Sequence, residues 1–96
     1  ITGATLTTTG NGALTAGGSI AGAGNTAHVS ANGVSLQTTG TGDIGSGGTP
    51  FFVSVNSLTA ATAGAAGNDI FVREESGLTA LDLNSGLGNA TVLERA

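Results

Sequence analysis

The 96-residue chain carries two basic and six acidic side chains, a net charge of −4, and no Cys, Met, Trp or Tyr. With Arg73 and Arg95 as its only cations it cannot neutralise a run of phosphates, so nucleic-acid binding is excluded. Without cysteine there are no disulfides or thiolate metal sites, and no apolar run is long enough for a membrane-spanning helix.

Glycine takes 18 positions, well above the usual ~7%. Glycine and β-branched residues interrupt every window in which a 3.6-residue apolar stripe would have to persist, so helices are not expected. Short strand signals, punctuated by Gly, Asn, Ser and Thr, fall in chain order at 4–8, 13–15, 19–20, 27–31, 34–37, 43–44, 51–55, 57–60, 69–73, 78–83 and 90–93. Many are too short for a β-sandwich, whose strands usually run to about five or six residues. With three Phe as the only aromatics, the core must be thin and filled by small aliphatics.

The punctuation recurs. GNTAHV (24–29), GNDIFV (67–72) and GNATVL (88–93) each place Gly-Asn before a strand, and GGTPFFV (47–53) supplies the intervening unit. The expected fold is all-β. Residues 1–96 form a single right-handed parallel β-helix, a solenoid of about four to five coils of roughly 20 residues each. Like aliphatics should then stack between coils, with Leu6, Val29, Val53, Val72 and Leu93 in one column, Ile20 and Ile44 in another, and Leu36, Leu58 and Leu81 on a further face. The charged stretch REESG (73–77) is expected to bulge outward as a solvated loop. Neither end shows an obvious cap, and the chain opens on Ile1, which points to an interior slice or repeat unit of a longer fibrous protein.

Residues 42–60 (GDIGSGGTPFFVSVNSLTA), 67–83 (GNDIFVREESGLTALDL) and 88–93 (GNATVL) resemble repeats of large secreted adhesins similar to filamentous haemagglutinin. The resemblance implies a structural repeat of a bacterial surface adhesin or fibre, exported by two-partner secretion. Such a repeat acts outside the cell as a rigid stalk in adhesion or biofilm. Its partners would be neighbouring coils or copies of the same protein, end to end or side by side, and host or matrix glycans. No residue of the family's secretion-recognition region is matched here, so only repeat architecture carries over.

Chemistry-bearing motifs are sparse. GAAGNDIFV (64–72) matches four of the five fixed positions of a calcium-binding nonapeptide and makes Asp69 a candidate ligand. Neither neighbouring nonapeptide repeats it, and one Asp cannot complete a cage of about six to eight oxygens. A glycine corner with a solvated Asp69 is therefore expected, with no cofactor. Glu74 and Glu75 beside Asp69 invite comparison with glycosidase carboxylate pairs, but adjacent strand residues face opposite ways, so a polysaccharide-cleaving enzyme ranks third and no enzyme is expected. His28 lacks companions for zinc and, if Val29 points inward, should point out. The glycine-rich stretches GAGN (22–25) and TGTGDIG (39–45) lack the Lys and helix of a phosphate loop. Thr5-Leu6-Thr7 suggests an ice-binding face, but HVS (28–30) breaks the repeat. The alternative to a stalk is a carbohydrate- or receptor-binding module, with Phe51, Phe52, Arg73, Glu74 and Glu75 forming a patch on one face.

Overall fold

A computed structural model describes residues 5–22, 28–63 and 68–94. Among the described residues nine strands follow one another: β1 (Leu6–Thr7), β2 (Asn11–Ala16), β3 (Val29–Ser30), β4 (Gly33–Thr38), β5 (Phe51–Ser54), β6 (Ser57–Ala61), β7 (Ile70–Glu74), β8 (Ala80–Asn84) and β9 (Ala90–Glu94). There is no helix among the described residues, hence none long and apolar enough to cross a membrane.

The odd-numbered strands build a five-stranded sheet and the even-numbered strands β2, β4, β6 and β8 a four-stranded one. Each of β1 to β7 pairs in parallel with the strand two ahead of it in the chain. That is a parallel β-solenoid: the chain winds, and each winding repeats the last one strand spacing further along. A third corner is marked by single parallel bridges joining Ile20 to Ile44 and Ile44 to Ile70.

The core lies between the two sheets and this corner. Val29, Phe51, Val53, Val55 and Val72 close it from one side, Val34, Leu36, Leu58 and Ala60 from the other, and Ile20, Ile44 and Ile70 at the corner. Burying a Val, Leu, Ile or Phe side chain is worth roughly 1.5–3 kcal/mol, so a slim core of small aliphatics suffices when every winding contributes several. Polar ladders tie the corners. Asn32 donates its side-chain amide to Asn11 Oδ1 at 3.4 Å, and Asn56 repeats this to Asn32 Oδ1 at 3.2 Å. In the next winding Thr79 takes the place, its N–H and hydroxyl both reaching the Asn56 carbonyl at 2.7 and 2.9 Å. That corner displaces the strand expected over 78–83, which runs over Ala80–Asn84 instead.

Two expectations of stacking are corrected by register. Val53 pairs with Glu74, not Val72, and Val72 pairs with Phe51 and Val92. Slipping a strand by two residues leaves the same face inward, so alternation could not choose between Val72 and Glu74. Leu93 is off by one, which reverses its face: Val92 turns inward and Leu93 is 51% exposed. Leu36, Leu58 and Leu81 share a face as expected, in two adjacent columns: Leu58 stacks on Val34 and Leu81, and Leu36 on Leu14 and Ala60. The windings are also longer and less regular than about 20 residues. Val29 meets Val53 24 positions on, Ile44 meets Ile70 26 on, and Ile70 meets Ala90 20 on.

Glycine is needed where windings touch. Gly45 has φ of +67°, and a Cβ there would collide with the Phe71 carbonyl and sit 2.7 Å from the Phe51 nitrogen. Gly42 lies directly on the Gly18 backbone of the winding below. Gly45→Ala is expected to destabilise the fold by about 2 kcal/mol or more, whereas Gly48→Ala, with open space around it, should be neutral or stabilising by about 0.5 kcal/mol. Thermal unfolding of the two variants checks the contrast.

Within the described residues β8 and β9 each have one unpaired edge. Leu78, Ala80, Leu81 and Val92 line an apolar groove of about 390 Å³ there.

Candidate functional site

The carboxylates are distributed by the winding. Asp43 and Asp69 occupy the same corner on successive turns, and each serves the turn above. The Asp43 N–H donates to Ser19 Oγ (3.1 Å), the Asp69 N–H to Asp43 Oδ1 (2.9 Å), and the Asn89 N–H to Asp69 Oδ1 (2.9 Å). Asp69, the candidate calcium ligand, thus spends one oxygen on a backbone N–H. No group of three or more His, Asp or Glu side chains with metal-binding geometry occurs among the described residues. Asp69→Asn preserves the acceptor and is expected to change stability by under about 0.5 kcal/mol, while Asp69→Ala should cost about 1 kcal/mol. Urea titration with and without millimolar calcium checks this: a calcium-dependent stabilisation lost in Asp69→Asn would restore the metal reading.

Glu74 departs most from expectation. It is not in an outward bulge: it ends β7 with its side chain fully buried, in the column of Val29 and Val53. Four donors surround its carboxylate. Oε1 accepts from the Ser76 N–H (2.6 Å), the Ser76 hydroxyl (2.7 Å) and the Gly77 N–H (2.7 Å), and Oε2 from the Val55 N–H (3.1 Å). A buried carboxylate is tolerable only when so satisfied. Here it turns the chain: Gly77 follows at φ +106°, and Glu74 collects the N–H groups that the turn leaves without strand partners.

The proposed patch separates in the same way. Phe51 faces the core with no exposure, and Phe52, outward on β5, is 2% exposed because other groups cover it. The guanidinium of Arg73 lies over the Phe52 ring with Cζ 4.7 Å from the centroid. The His28 ring stands 5.0 Å from Phe51 and 6.2 Å from Phe52. His28, expected to be exposed, is 4% exposed. Alternation decides which side of a sheet a residue takes, not whether that side is covered. Arg73 Nε is 2.9 Å from Glu75 Oε1, but its N–H is not aimed at that oxygen. The pair is held by charge, and at 20% and 30% exposure it is worth at most about 1 kcal/mol. Of the five, only Arg73 and Glu75 reach the surface.

A surface feature that sequence reasoning missed lies beside them. Phe71, outward on β7 and half-buried, forms an apolar groove of about 130 Å³ with Gly47, Pro50, Val72, Thr91 and Leu93. The signal was present in Ile70-Phe71-Val72: with Ile70 and Val72 inward, Phe71 must face out. Of the glycine-rich stretches, 23–25 lie outside the described residues, and 39–45 form corners. The row above Thr7 reads Ser30 and Ser54, so the threonine pattern does not repeat on that sheet. The match to the calcium nonapeptide begins at 64–67, outside the described residues. No protein-family model matches this chain, and comparison with curated proteins and with solved structures likewise finds no match.

Proposed function

We propose that the chain is a structural repeat of a secreted bacterial surface adhesin or fibre. It acts as a rigid stalk in adhesion or biofilm, wound as a right-handed β-helix of four to five coils. The observation that carries this reading is the pairing of each strand with the strand two ahead, which directs the inter-strand hydrogen bonds along one axis. Tension along that axis is shared among many weak bonds. Bonds of this kind pass between windings without regard to which chain supplies the next one. The main-chain edges of β8 and β9, with exposed Leu81 at the open end of the Leu58 column, suit further windings or further copies, end to end. The carboxylates of Glu74 and Asp69 serve backbone N–H groups, a use that favours architecture over catalysis. The assignment to the filamentous-haemagglutinin-like class, its extracellular location and its export by two-partner secretion rest on the repeat segments alone.

The test is length. Concatemers of one, two and three copies are expected to grow in maximum dimension by a constant increment in small-angle X-ray scattering, at a rise of about 4.8 Å per winding. Copies that remain separate beads on a flexible linker would sink the stalk reading.

A further inference from the structure

We infer that the groove around Phe71 is a binding site for one neutral sugar ring of a glycan. The site lies on the outer face of β7 and β9, where Phe71 pairs with Thr91 and Arg73 with Leu93. Its floor and walls are Phe71, Pro50 and Leu93, with the Val72 backbone between them, and its rim is hydroxylic or bare backbone: Thr91, Gly47, and beside Gly47 the exposed Ser46 and Thr49. A pyranose has the matching character, with C–H groups on its faces and hydroxyls around its edge. Its apolar face would lie against the Phe71 ring, with its hydroxyls reaching Thr91 and the 46–49 turn. At about 130 Å³ the groove is well below the ~300–1,000 Å³ of sites that enclose a drug-sized ligand, so it takes a single ring.

Two observations choose this ligand over others. β7 is already hydrogen-bonded to β5 on one side and β9 on the other, so a peptide laid across its face finds no main-chain partner. No lining residue is charged, Arg73 and Glu75 compensate each other nearby, and the chain's net charge of −4 repels acidic polysaccharides. The 46–49 wall is held in place, since the Ser46 N–H donates to the Thr49 carbonyl and the Thr49 N–H to Ser46 Oγ, both at 3.1 Å. Little ordering is then required on binding. The site faces away from the winding axis, so another winding stacked on β9 would leave it open. In a stalk of many copies, a weak site repeated along the fibre would gain avidity.

The experiment titrates methyl glycosides of glucose, galactose, mannose and N-acetylglucosamine into the isotopically labelled chain and follows amide shifts. At least one is expected to bind with a dissociation constant on the order of 1 mM and to move Gly47, Phe71, Thr91 and Leu93. Leu93→Asp, at an exposed position, should weaken binding at least tenfold with an unchanged unfolding midpoint, and Phe71→Ala should weaken it as much, at some loss of stability because Phe71 is half-buried. No localised shift with any of the four overturns the proposal, as does a groove that binds isobutanol as well as it binds the sugars. Either failure leaves the concatemer measurement untouched, so the stalk and the sugar site are separately testable.

Discussion

Replacing Glu74 by alanine is expected to remove about 3–5 kcal/mol of stability. The change strands the N–H groups of Val55, Ser76 and Gly77, which converge on the carboxylate in an enclosed place. Each buried donor left without an acceptor costs about 1–3 kcal/mol, partly recovered where the turn opens to water. Total stability of a chain this size is commonly about 5–15 kcal/mol, so the variant should sit near the edge of folding. Glu74→Gln keeps one oxygen for the Ser76 and Gly77 donors but turns an amide NH₂ toward the Val55 N–H, and should cost about 1–3 kcal/mol. Urea denaturation ranks wild type, Gln and Ala in that order. Near-equal midpoints for all three would mean that Glu74 is solvated, as the charged stretch REESG suggested, and that the buried column is misassigned.

Phe51→Ala is expected to cost about 3–5 kcal/mol, the usual range for deleting a buried ring. Phe51 is fully enclosed and is the largest side chain in the core. Its register partner is Val72, and its ring meets His28. In so slim a core the neighbours are held by the backbone ladders of the adjacent windings and cannot collapse into the space. With a urea slope of about 1.5 kcal/mol/M, the unfolding midpoint should fall by about 2–3 M. A ligand-binding Phe51 on the surface would give the opposite result, a change within about 0.5 kcal/mol. The same measurement therefore distinguishes a core ring from the surface patch that adjacency with Phe52 suggested.

Local residue chemistry decided much of this molecule. Glycine at inter-winding contacts, β-branched residues between them, and alternation in Val34-Ser35-Leu36 or Ile70-Phe71-Val72 were enough to read an all-β solenoid from the chain, and Ile20 above Ile44 was legible as a column. All of these follow from the two-residue strand period and from backbone space, both properties of short segments. The sites were less legible for two reasons. A shift of two residues keeps every side chain on its face, so whether Val72 or Glu74 lay above Val53 was undetermined until the windings were laid together. Cover is likewise a property of neighbours: Phe52 points outward by alternation yet is enclosed beneath Arg73, and His28 is buried against the rings of Phe51 and Phe52. What the amino-acid order determined alone was the winding and its inward face, because those depend on residues near one another in the chain. Only the tertiary structure decided that Glu74 is a buried turn clasp and that Phe71 is the aromatic at the surface, because register and cover arise between windings some 20 to 26 residues apart.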